Sequence, residues 1–342
     1  MKRIAKITVA LLLAVAMCFS LAGCYDEDLN WSAKYDDTEL PAGAYIYYLS
    51  IAYNEAASKV STEDEVLKSE IDGTPAETWI KNRADEYVNQ YFYIQNEMKR
   101  LGLEMTDEDY STCLQTTESY WNYFGTSFEK FGIAKTSFDI AYSQYNRMYL
   151  KVFNALYGEG GENEVPESEL RQHIEDDYYD YEYFSAPLTK TDDDNKSVDL
   201  TDEEKADLKE TLEKYKTKIE SGAMAVNDAA TDYALKVQQD STYQTGIKDE
   251  NGMQSSYMPD AFISAIKEMN EGDVEVVEST KYMIVLHRLP IKDDEDTLLE
   301  SSDNRSQLLL ELKNTEYADA VSAAAQSFEG VEWNQKVLNR YK

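Results

Sequence analysis

Few residues of this 342-residue chain belong to the types that perform metal or nucleophilic chemistry. The chain has two histidines, His173 and His287, and three cysteines, Cys18, Cys24 and Cys113. Two histidines so far apart exclude most histidine-based metal sites and give a Ser-His-Asp triad little support. Only Cys113 lies in the body of the chain, in a tyrosine-rich helical stretch that predicts a small buried side chain. We therefore expect no intramolecular disulfide, no metal and no cofactor.

Cys24 is the cysteine whose surroundings predict a modification. An apolar run from Ile7 to Phe19 is too short to span a bilayer comfortably, and it leads to Leu21-Ala22-Gly23-Cys24. The basic residues ahead of the run are Lys2, Arg3 and Lys6. The whole segment resembles a bacterial lipoprotein signal, with a lipobox that is cut before Cys24. This resemblance implies a signal peptide over residues 1–23 and a diacylated, palmitate-type anchor on Cys24, which would hold the chain on a membrane. A secretory signal with a chance cysteine is the alternative.

Clusters of carboxylates are the other chemically capable groups. Asp192-Asp193-Asp194-Asn195 resembles part of a calcium loop, but the glycine and the distal glutamate of an EF-hand are missing. The acidic runs 175–177 and 293–296 contain residues adjacent in sequence, which cannot flank a substrate bond as a glycosidase pair does. We interpret all three as solvated, solubilising segments.

The charge balance excludes whole classes of partner. The chain has 33 Lys and Arg against 66 Asp and Glu, a formal net charge of −33. Nucleic acids and anionic lipid headgroups would be repelled, whereas cationic segments would be attracted. Apolar residues make up 42% of the chain, which is enough to bury a core in two folded units.

The sequence predicts that the N-terminal half is helical after a polar segment. Residues 24–40 are acidic and predict a tether. Apolar spacing of three to four residues, with Gly and Pro at the borders, then predicts helices over about 41–56, 75–101, 106–124, 136–156 and 166–177. Tyrosine is concentrated up to position 183. We expect most of these rings to fill helical faces with the hydroxyl reaching water, the alternative being a cradle for peptides.

The second half changes character and predicts an α+β, mostly α fold. Aromatic residues 181–185 predict a strand, an acidic loop follows, and a capping box at Thr201 begins a charged helix to Ser221. A shorter helix near 227–234, a polar stretch 238–256 and a helix near 259–269 come next. The last elements are strands over 274–277 and 282–289 and a final helix over roughly 297–328.

Two stretches carry a resemblance to a known family. The first is Phe131-Gly132-Ile133-Ala134-Lys135-Thr136-Ser137-Phe138 with the later Val165-Pro166-Glu167-Ser168-Glu169-Leu170. The second begins with Tyr257-Met258-Pro259-Asp260-Ala261-Phe262 and continues through residues 271–274 and 281–285. Together they resemble extracytoplasmic foldases of the PrsA/SurA type. The resemblance implies a helical chaperone domain from residues 41–178 plus 297–342, with a parvulin-like β-α-β domain, residues 179–292, inserted between them.

The resemblance also implies a pocket for a proline ring. Parvulins hold the ring with a Met and a Phe four residues apart, and Met258 and Phe262 match that spacing. The same spacing is common in ordinary helical core contacts. The family position that is Cys or Asp falls near Asp240 or Ser241. The candidate peptide pocket therefore comprises Tyr183, Ser241, Met258, Phe262 and Met283.

Tyr183 and Met283 stand where parvulins place two histidines. His287 lies four residues beyond Met283, so it should face the same side of its strand at the far end. Prolyl isomerisation has a barrier near ~20 kcal/mol, and lowering it needs polar groups placed against the twisted amide. A pocket that has lost both imidazoles suggests binding with little turnover. The catalytic residues are unknown, and whether the chain is an enzyme stays open.

These observations favour a membrane-anchored extracytoplasmic chaperone or foldase that assists the folding of secreted proteins, with weak or no prolyl isomerase activity. Its partners would be unfolded or nascent secreted polypeptides and, through the lipid anchor, the outer face of a cell membrane, as on a Gram-positive surface. Nucleic acid is not among them, and a homodimer is compatible with this reading. One alternative is an active parvulin-type isomerase. Another is a surface-binding or structural lipoprotein.

Overall fold

A computed structural model of the chain describes residues 30–60, 63–192, 194–237 and 239–340, which divide into two units. The first unit contains the described residues up to Glu164 and those from Lys313 onward, and the second contains Val165–Leu312. The predicted signal peptide and Cys24 lie outside the described residues. None of the helices in the described part of the chain is long and apolar enough to cross a membrane.

Helices dominate both units, as the sequence predicts. They are α1 (Ala42–Ser58), α2 (Ala76–Arg100), α3 (Asp107–Lys130), α4 (Lys135–Phe138), α5 (Tyr145–Tyr157), α6 (Glu167–Asp177), α7 (Asp202–Glu220), α8 (Val226–Val237), α9 (Glu250–Ser255), α10 (Asp260–Glu268), α11 (Glu295–Glu300), α12 (Ser302–Gln326) and α13 (Gln335–Leu338). A π turn, Asp139–Gln144, joins α4 to α5, and short 3₁₀ turns cover Glu63–Lys68 and Ile291–Asp293.

The strands form small antiparallel sheets, so the predicted α+β, mostly α class is confirmed. They are β1 (Trp31–Tyr35), β2 (Thr38–Pro41), β3 (Glu70–Ile71), β4 (Thr74–Pro75), β5 (Tyr178–Pro187), β6 (Thr189–Thr191), β7 (Ser197–Asp199), β8 (Gln244–Asp249), β9 (Val274–Glu278), β10 (Tyr282–Leu289) and β11 (Glu332–Trp333). Two of the sheets have more than two strands, in the orders β11-β1-β2 and β8-β5-β10-β9.

The first of these sheets begins the first unit, and it lies where the sequence predicts a tether. Residues 31–41 form β1 and β2 instead, and β11 from the far end of the chain pairs with β1. Ala33 and Leu40 are completely buried there, and the Ser32 hydroxyl donates to the carbonyl of Leu40. Ser32, Ala33 and Leu40 are therefore part of the core, although the segment around them is acidic.

Tyrosines fill helical faces in the first unit, as expected, but some hydroxyls bond protein groups rather than water. Tyr48 on α1 is 4% exposed, and its hydroxyl donates to the carbonyl of Ala141. The hydroxyl of Tyr45 donates to Asp85 on α2 at 3.0 Å. Each bond satisfies a polar group that burial would otherwise leave without a partner.

Helix α3 is longer than its sequence suggests, because Gly125 does not end it. The helix runs on to Lys130 and stops before Gly132, whose φ of +82° is readily adopted only by glycine. A Cβ at Gly125 would lie 2.6 Å from the Trp121 indole nitrogen. The glycine at 125 therefore makes room for the Trp121 ring within the helix.

Asp109 in the first turn of α3 anchors the packing of α3 on α5. Its side chain is 2% exposed and forms ion pairs with Arg147 at 2.5 Å and Lys151 at 2.6 Å. It also forms a capping box with Thr106. Burial alone would raise the pKa of Asp109, but the bonds from Lys151, Thr106 and Arg147 outweigh it and hold this pKa well below its usual range.

We expect Asp109→Asn to lower the free energy of unfolding at pH 7 by about 2–4 kcal/mol, because it leaves two cations beside a buried neutral group. Denaturant unfolding of the full chain measures this change. Since the folded-state pKa is lowered, the stabilisation is present above about pH 4 and disappears as the pH falls further. Asp107→Asn, at an exposed position of the same first turn, is the control and should change stability little. Equal effects of the two substitutions would contradict the assignment.

The second unit is built on the sheet β8-β5-β10-β9, with helices on both faces. Residues of α7 and α8 pack on one face against Phe184, Met283 and Val285. Residues of α9 and α10 pack on the other against Tyr181, Ile284 and Leu286. Strands β9 and β10 are confirmed, whereas β8 and α9 occupy the stretch 238–256, which the sequence analysis assigns only as polar.

The predicted final helix is interrupted at Ser301, which separates α11 from α12. Ser301 is extended, and its hydroxyl accepts a hydrogen bond from the amide of Asn304 and so caps α12. The second unit interrupts the sequence of the first, and it includes α6 and residues 297–312, which the sequence analysis assigns to the helical domain. The predicted domain organisation stays a prediction.

Candidate functional site

Three of the five predicted pocket residues meet on one face of the second unit's sheet. Phe262 on α10 is completely buried, and its ring contacts that of Tyr183 on β5 at a centroid distance of 5.2 Å, edge to face. The Tyr183 hydroxyl lies 3.9 Å from the sulfur of Met258. The neighbouring Tyr181 ring contacts Phe262 at the same centroid distance. We call Tyr181, Tyr183, Met258 and Phe262 the α10 pocket.

The segment before α10 positions Met258. Met258 donates its amide to the carbonyl of Met253 at the end of α9, and Pro259 fixes the start of α10. Between the two helices, Tyr257 has a φ of +58°, and its side chain is 85% exposed. The half-buried Met258 side chain therefore packs in the cluster that contains Phe262, whereas the Tyr257 side chain extends into solvent.

Met283 does not belong to the α10 pocket, which corrects that part of the prediction. It packs with Phe184 and Val285 on the opposite face of the sheet. Side chains alternate along a strand, and the β10 residues on the pocket side are Ile284 and Leu286. A shift of one residue in the assignment along β10 is enough to move a side chain to the other face.

Ser241 is exposed in the segment that leads into β8. Its hydroxyl accepts a hydrogen bond from the amide of Tyr243, at 3.4 Å. The next residue, Thr242, exchanges hydrogen bonds with the backbone of Ser185 on β5, at 2.9 Å and 2.7 Å. Ser241 therefore lies just before the start of β8, and its hydroxyl bonds the local backbone.

His287 and Glu182 form a polar cluster that the sequence analysis does not find. They are cross-strand partners on β10 and β5, and the His287 Nδ1 lies 2.9 Å from a Glu182 oxygen. The Tyr243 hydroxyl donates to the other oxygen of Glu182, also at 2.9 Å. The bond from His287 keeps the pKa of Glu182 below its usual range in spite of burial. As expected from the spacing, His287 shares a face with Met283, so it lies away from the α10 pocket.

A carboxyl group on β5 has an unusual charge state. Asp180 is 4% exposed, and burial together with the neighbouring carboxylate of Asp294 raises the pKa of Asp180 to about 7. Only the folded chain brings these two residues together, so the sequence carries no signal for the pair. No group of histidine, cysteine and carboxylate side chains within the described residues is arranged to hold a metal ion.

Comparison with known proteins gives structural matches only. No protein-family model matches the chain, and no curated protein matches it. Matching solved structures include foldase protein PrsA from Streptococcus pneumoniae, with 14% identity and a TM-score of 0.39 over 78% of this chain and 96% of that chain. Foldase protein PrsA from Lactococcus lactis has 12% identity and a TM-score of 0.38, over 91% and 99% of the two chains.

PrsA from Bacillus subtilis is a third match, with 14% identity and a TM-score of 0.32 over 81% of this chain and 93% of that chain. These three solved structures are foldases of the type that the sequence resembles.

We predict that the contribution of Asp180 to the stability of the second unit falls as the pH rises from about 4 to about 7. The folded chain holds a proton on Asp180 in this range whereas the unfolded chain has released it, so the stabilisation is complete below pH 4 and lost as the pH passes 7. Asp180→Asn should raise the free energy of unfolding at pH 8 by roughly 1–3 kcal/mol and change it little at pH 4.

Denaturant unfolding at several pH values tests this expectation. Asp207→Asn, at an exposed position of α7, is the control, and its stability should follow that of the unmodified chain at every pH. A pH profile of Asp180→Asn parallel to that of the unmodified chain would show that Asp180 is an ordinary carboxylate.

Proposed function

We propose that this protein is a lipid-anchored extracytoplasmic chaperone that binds unfolded secreted polypeptides and catalyses prolyl isomerisation weakly or not at all. The observation that carries the proposal is the α10 pocket, which combines apolar and aromatic side chains and contains no imidazole. The two histidines of the chain are elsewhere: His173 is on α6, and His287 is on the opposite face of the sheet.

The composition of the α10 pocket supports binding more than catalysis. Met258 and Tyr183 are half-buried and supply the accessible part of the α10 pocket, above the completely buried ring of Phe262. Their apolar and aromatic surface is of the kind that holds a proline ring or another apolar side chain. Rate acceleration needs polar groups that interact more strongly with the twisted amide than with the planar one. A methionine sulfur is only a weak acceptor, so Met258 contributes little of this kind.

The first unit offers a second, more open contact area for unfolded chains. On α3, Tyr123 is 84% exposed, Leu114 is 55% exposed, and Tyr110 and Tyr120 are also exposed. At 3.6 residues per turn these positions are spread around the helix, so they offer separate contact points rather than one continuous patch. Tyrosines give large contact area at low entropic cost and tolerate varied partners, which suits a chaperone that binds many sequences.

The charge of the chain favours the same class of partner. With a net charge of −33, its field attracts cationic segments and repels acidic ones. Unfolded polypeptides expose basic and apolar residues together, so both kinds of attraction act on them. The lipobox at Cys24 supports a location on the outer face of a membrane, where such polypeptides emerge after secretion.

An active prolyl isomerase is the second candidate, and Tyr183 is the residue that favours it. Its hydroxyl points into the α10 pocket toward Met258, and burial raises the pKa of this phenol, so it stays protonated and able to donate. One such donor could assist the twisted amide. The two functions differ in a measurable rate, because binding alone does not accelerate exchange between the cis and trans forms.

We expect the purified protein to suppress aggregation of an unfolded client while leaving the cis–trans exchange rate of Xaa-Pro peptides nearly unchanged. Light scattering measures the first property, and a protease-coupled or exchange NMR assay measures the second. A robust isomerase rate that disappears in Tyr183→Phe, with folding intact, would establish the enzyme instead.

Met258→Ala should weaken the binding of proline-containing peptides, because it removes one wall of the α10 pocket. Met224→Ala is the matched control, since Met224 is also half-buried but packs on the opposite face of the sheet. Phe262→Ala should weaken binding as well, but truncation of a core Phe costs about 3–5 kcal/mol, so its stability must be measured alongside. Unchanged peptide affinity in a folded Met258→Ala protein would remove the α10 pocket from the proposal.

Cys24→Ala should release the protein from membranes or block its processing, because the acylated thiol is the proposed anchor. Fractionation of cells that express each form, followed by immunoblotting, measures this. Cys113→Ala, which replaces a buried thiol of the first unit, is the control and should remain in the membrane fraction. Continued membrane association of Cys24→Ala, with cleavage at the same position, would contradict the lipoprotein assignment.

A further inference from the structure

Two adjoining cavities in the second unit lie away from the residues of the α10 pocket. The first has a volume of about 410 Å³ and the second about 500 Å³. Both volumes are in the range of sites that enclose small ligands or side chains. The cavities share Asp249, Asn251 and Glu311 in their walls, so they form one double cavity beside β8, α9 and α12.

The first cavity is partly apolar. Ile247, Leu298 and Leu308 supply its aliphatic wall, and Leu298 and Leu308 belong to the buried core. Asn304 and Ser255 stand at exposed positions around it. This combination is suited to an uncharged aliphatic side chain, which gains free energy from leaving water at such a wall.

The second cavity is acidic. Its walls carry the four carboxylates of Asp177, Asp249, Glu250 and Glu311. Each of the four has a partner in the structure. Glu250 pairs with Lys267, and Asp249 caps α9. The His173 ring lies between Asp177 and Glu311, at 2.8 Å and 2.9 Å from their oxygens. Even with Lys267 and His173 counted as cations, together with Lys248 in the wall of the first cavity, three positive groups face four carboxylates. The cavity therefore keeps a negative potential that favours a cationic group.

We propose that the double cavity binds an extended polypeptide segment in which an aliphatic side chain stands next to Lys or Arg. The aliphatic side chain enters the first cavity, and the cationic side chain lies among the carboxylates of the second. The charge complementarity excludes acidic segments, and the adjoining cavities favour a peptide over a small inorganic cation. The proposal deepens the chaperone function and rests on it for the identity of the natural ligand, since basic, apolar segments are exposed in unfolded clients.

The test measures peptide binding to the purified full-length protein by fluorescence anisotropy. The probe is a labelled peptide with two Leu-Lys repeats between Gly-Ser flanks, and the comparison peptides replace Lys with Glu or Leu with Ser. The Leu-Lys probe should bind about tenfold tighter than either comparison peptide. Its affinity should fall at high salt, because the ionic part of the interaction is screened.

A pair of substitutions locates the site. Asn251→Lys places a cation in the shared wall and should weaken binding of the Leu-Lys probe by about tenfold or more. Asn227→Lys is the matched control: Asn227 is also exposed and is also the second residue of a helix, α8, but it does not line the double cavity. It should change the affinity by less than about twofold.

Ser255→Trp tests the same site without changing a charge. A bulky ring at the edge of the first cavity should weaken binding of the Leu-Lys probe and leave the stability of the protein unchanged. Equal affinities of Asn251→Lys and Asn227→Lys for the probe would overturn the proposal, as would equal binding of the Lys and Glu peptides.

The outcomes separate this proposal from the chaperone function. Suppression of client aggregation together with equal probe affinities of the two lysine variants would remove the double cavity and leave the chaperone function standing. Loss of probe binding in Asn251→Lys alone, in a protein that does not suppress aggregation, would establish the binding site and contradict the chaperone function.

Discussion

Strand β5 is buried on both faces, and this constraint organises the second unit. Tyr181 and Phe184 are among the most deeply buried large side chains of the described residues, yet they point to opposite sides of the sheet. Because side chains alternate along a strand, the pairing of β5 with β8 and β10 decides the face of every residue on the three strands. The α10 pocket, the Glu182–His287 pair and Asp180 all have their places set by this register.

The register also explains which parts of the site the sequence predicts. Met258 and Phe262 are four residues apart across the start of one helix, so their proximity is a local property that spacing reveals. Met283 is on another strand, and its assignment required counting along β10 to within one residue. The Glu182–His287 contact depends on strand pairing, and the Asp180–Asp294 contact depends on where the chain returns after β10. No local pattern encodes either.

The secondary structure is also predictable only where it depends on residues that are close in sequence. The bounds of α2 and α10 and of β9 and β10 agree with apolar periodicity and with the residues that begin and end them. Strands β1 and β2 lie in an acidic segment that predicts a tether, because their partner, β11, is at the other end of the chain. Strand β8 is short, polar and half-exposed, so no local pattern predicts it, and only its pairing with β5 makes it a strand.

The left-handed backbone conformation of Tyr257 costs free energy in the folded state. The left-handed backbone conformation is tolerated by Asp36, Asp72 and Asn195, whose short polar side chains suit it, whereas a tyrosine there costs about 1 kcal/mol or more. With 85% of its surface in water, the ring recovers little of this cost through burial within the chain. Folding alone would be served better by glycine at this position. The unfavourable backbone angle therefore lies in the segment that joins α9 to α10, directly before Met258 of the α10 pocket.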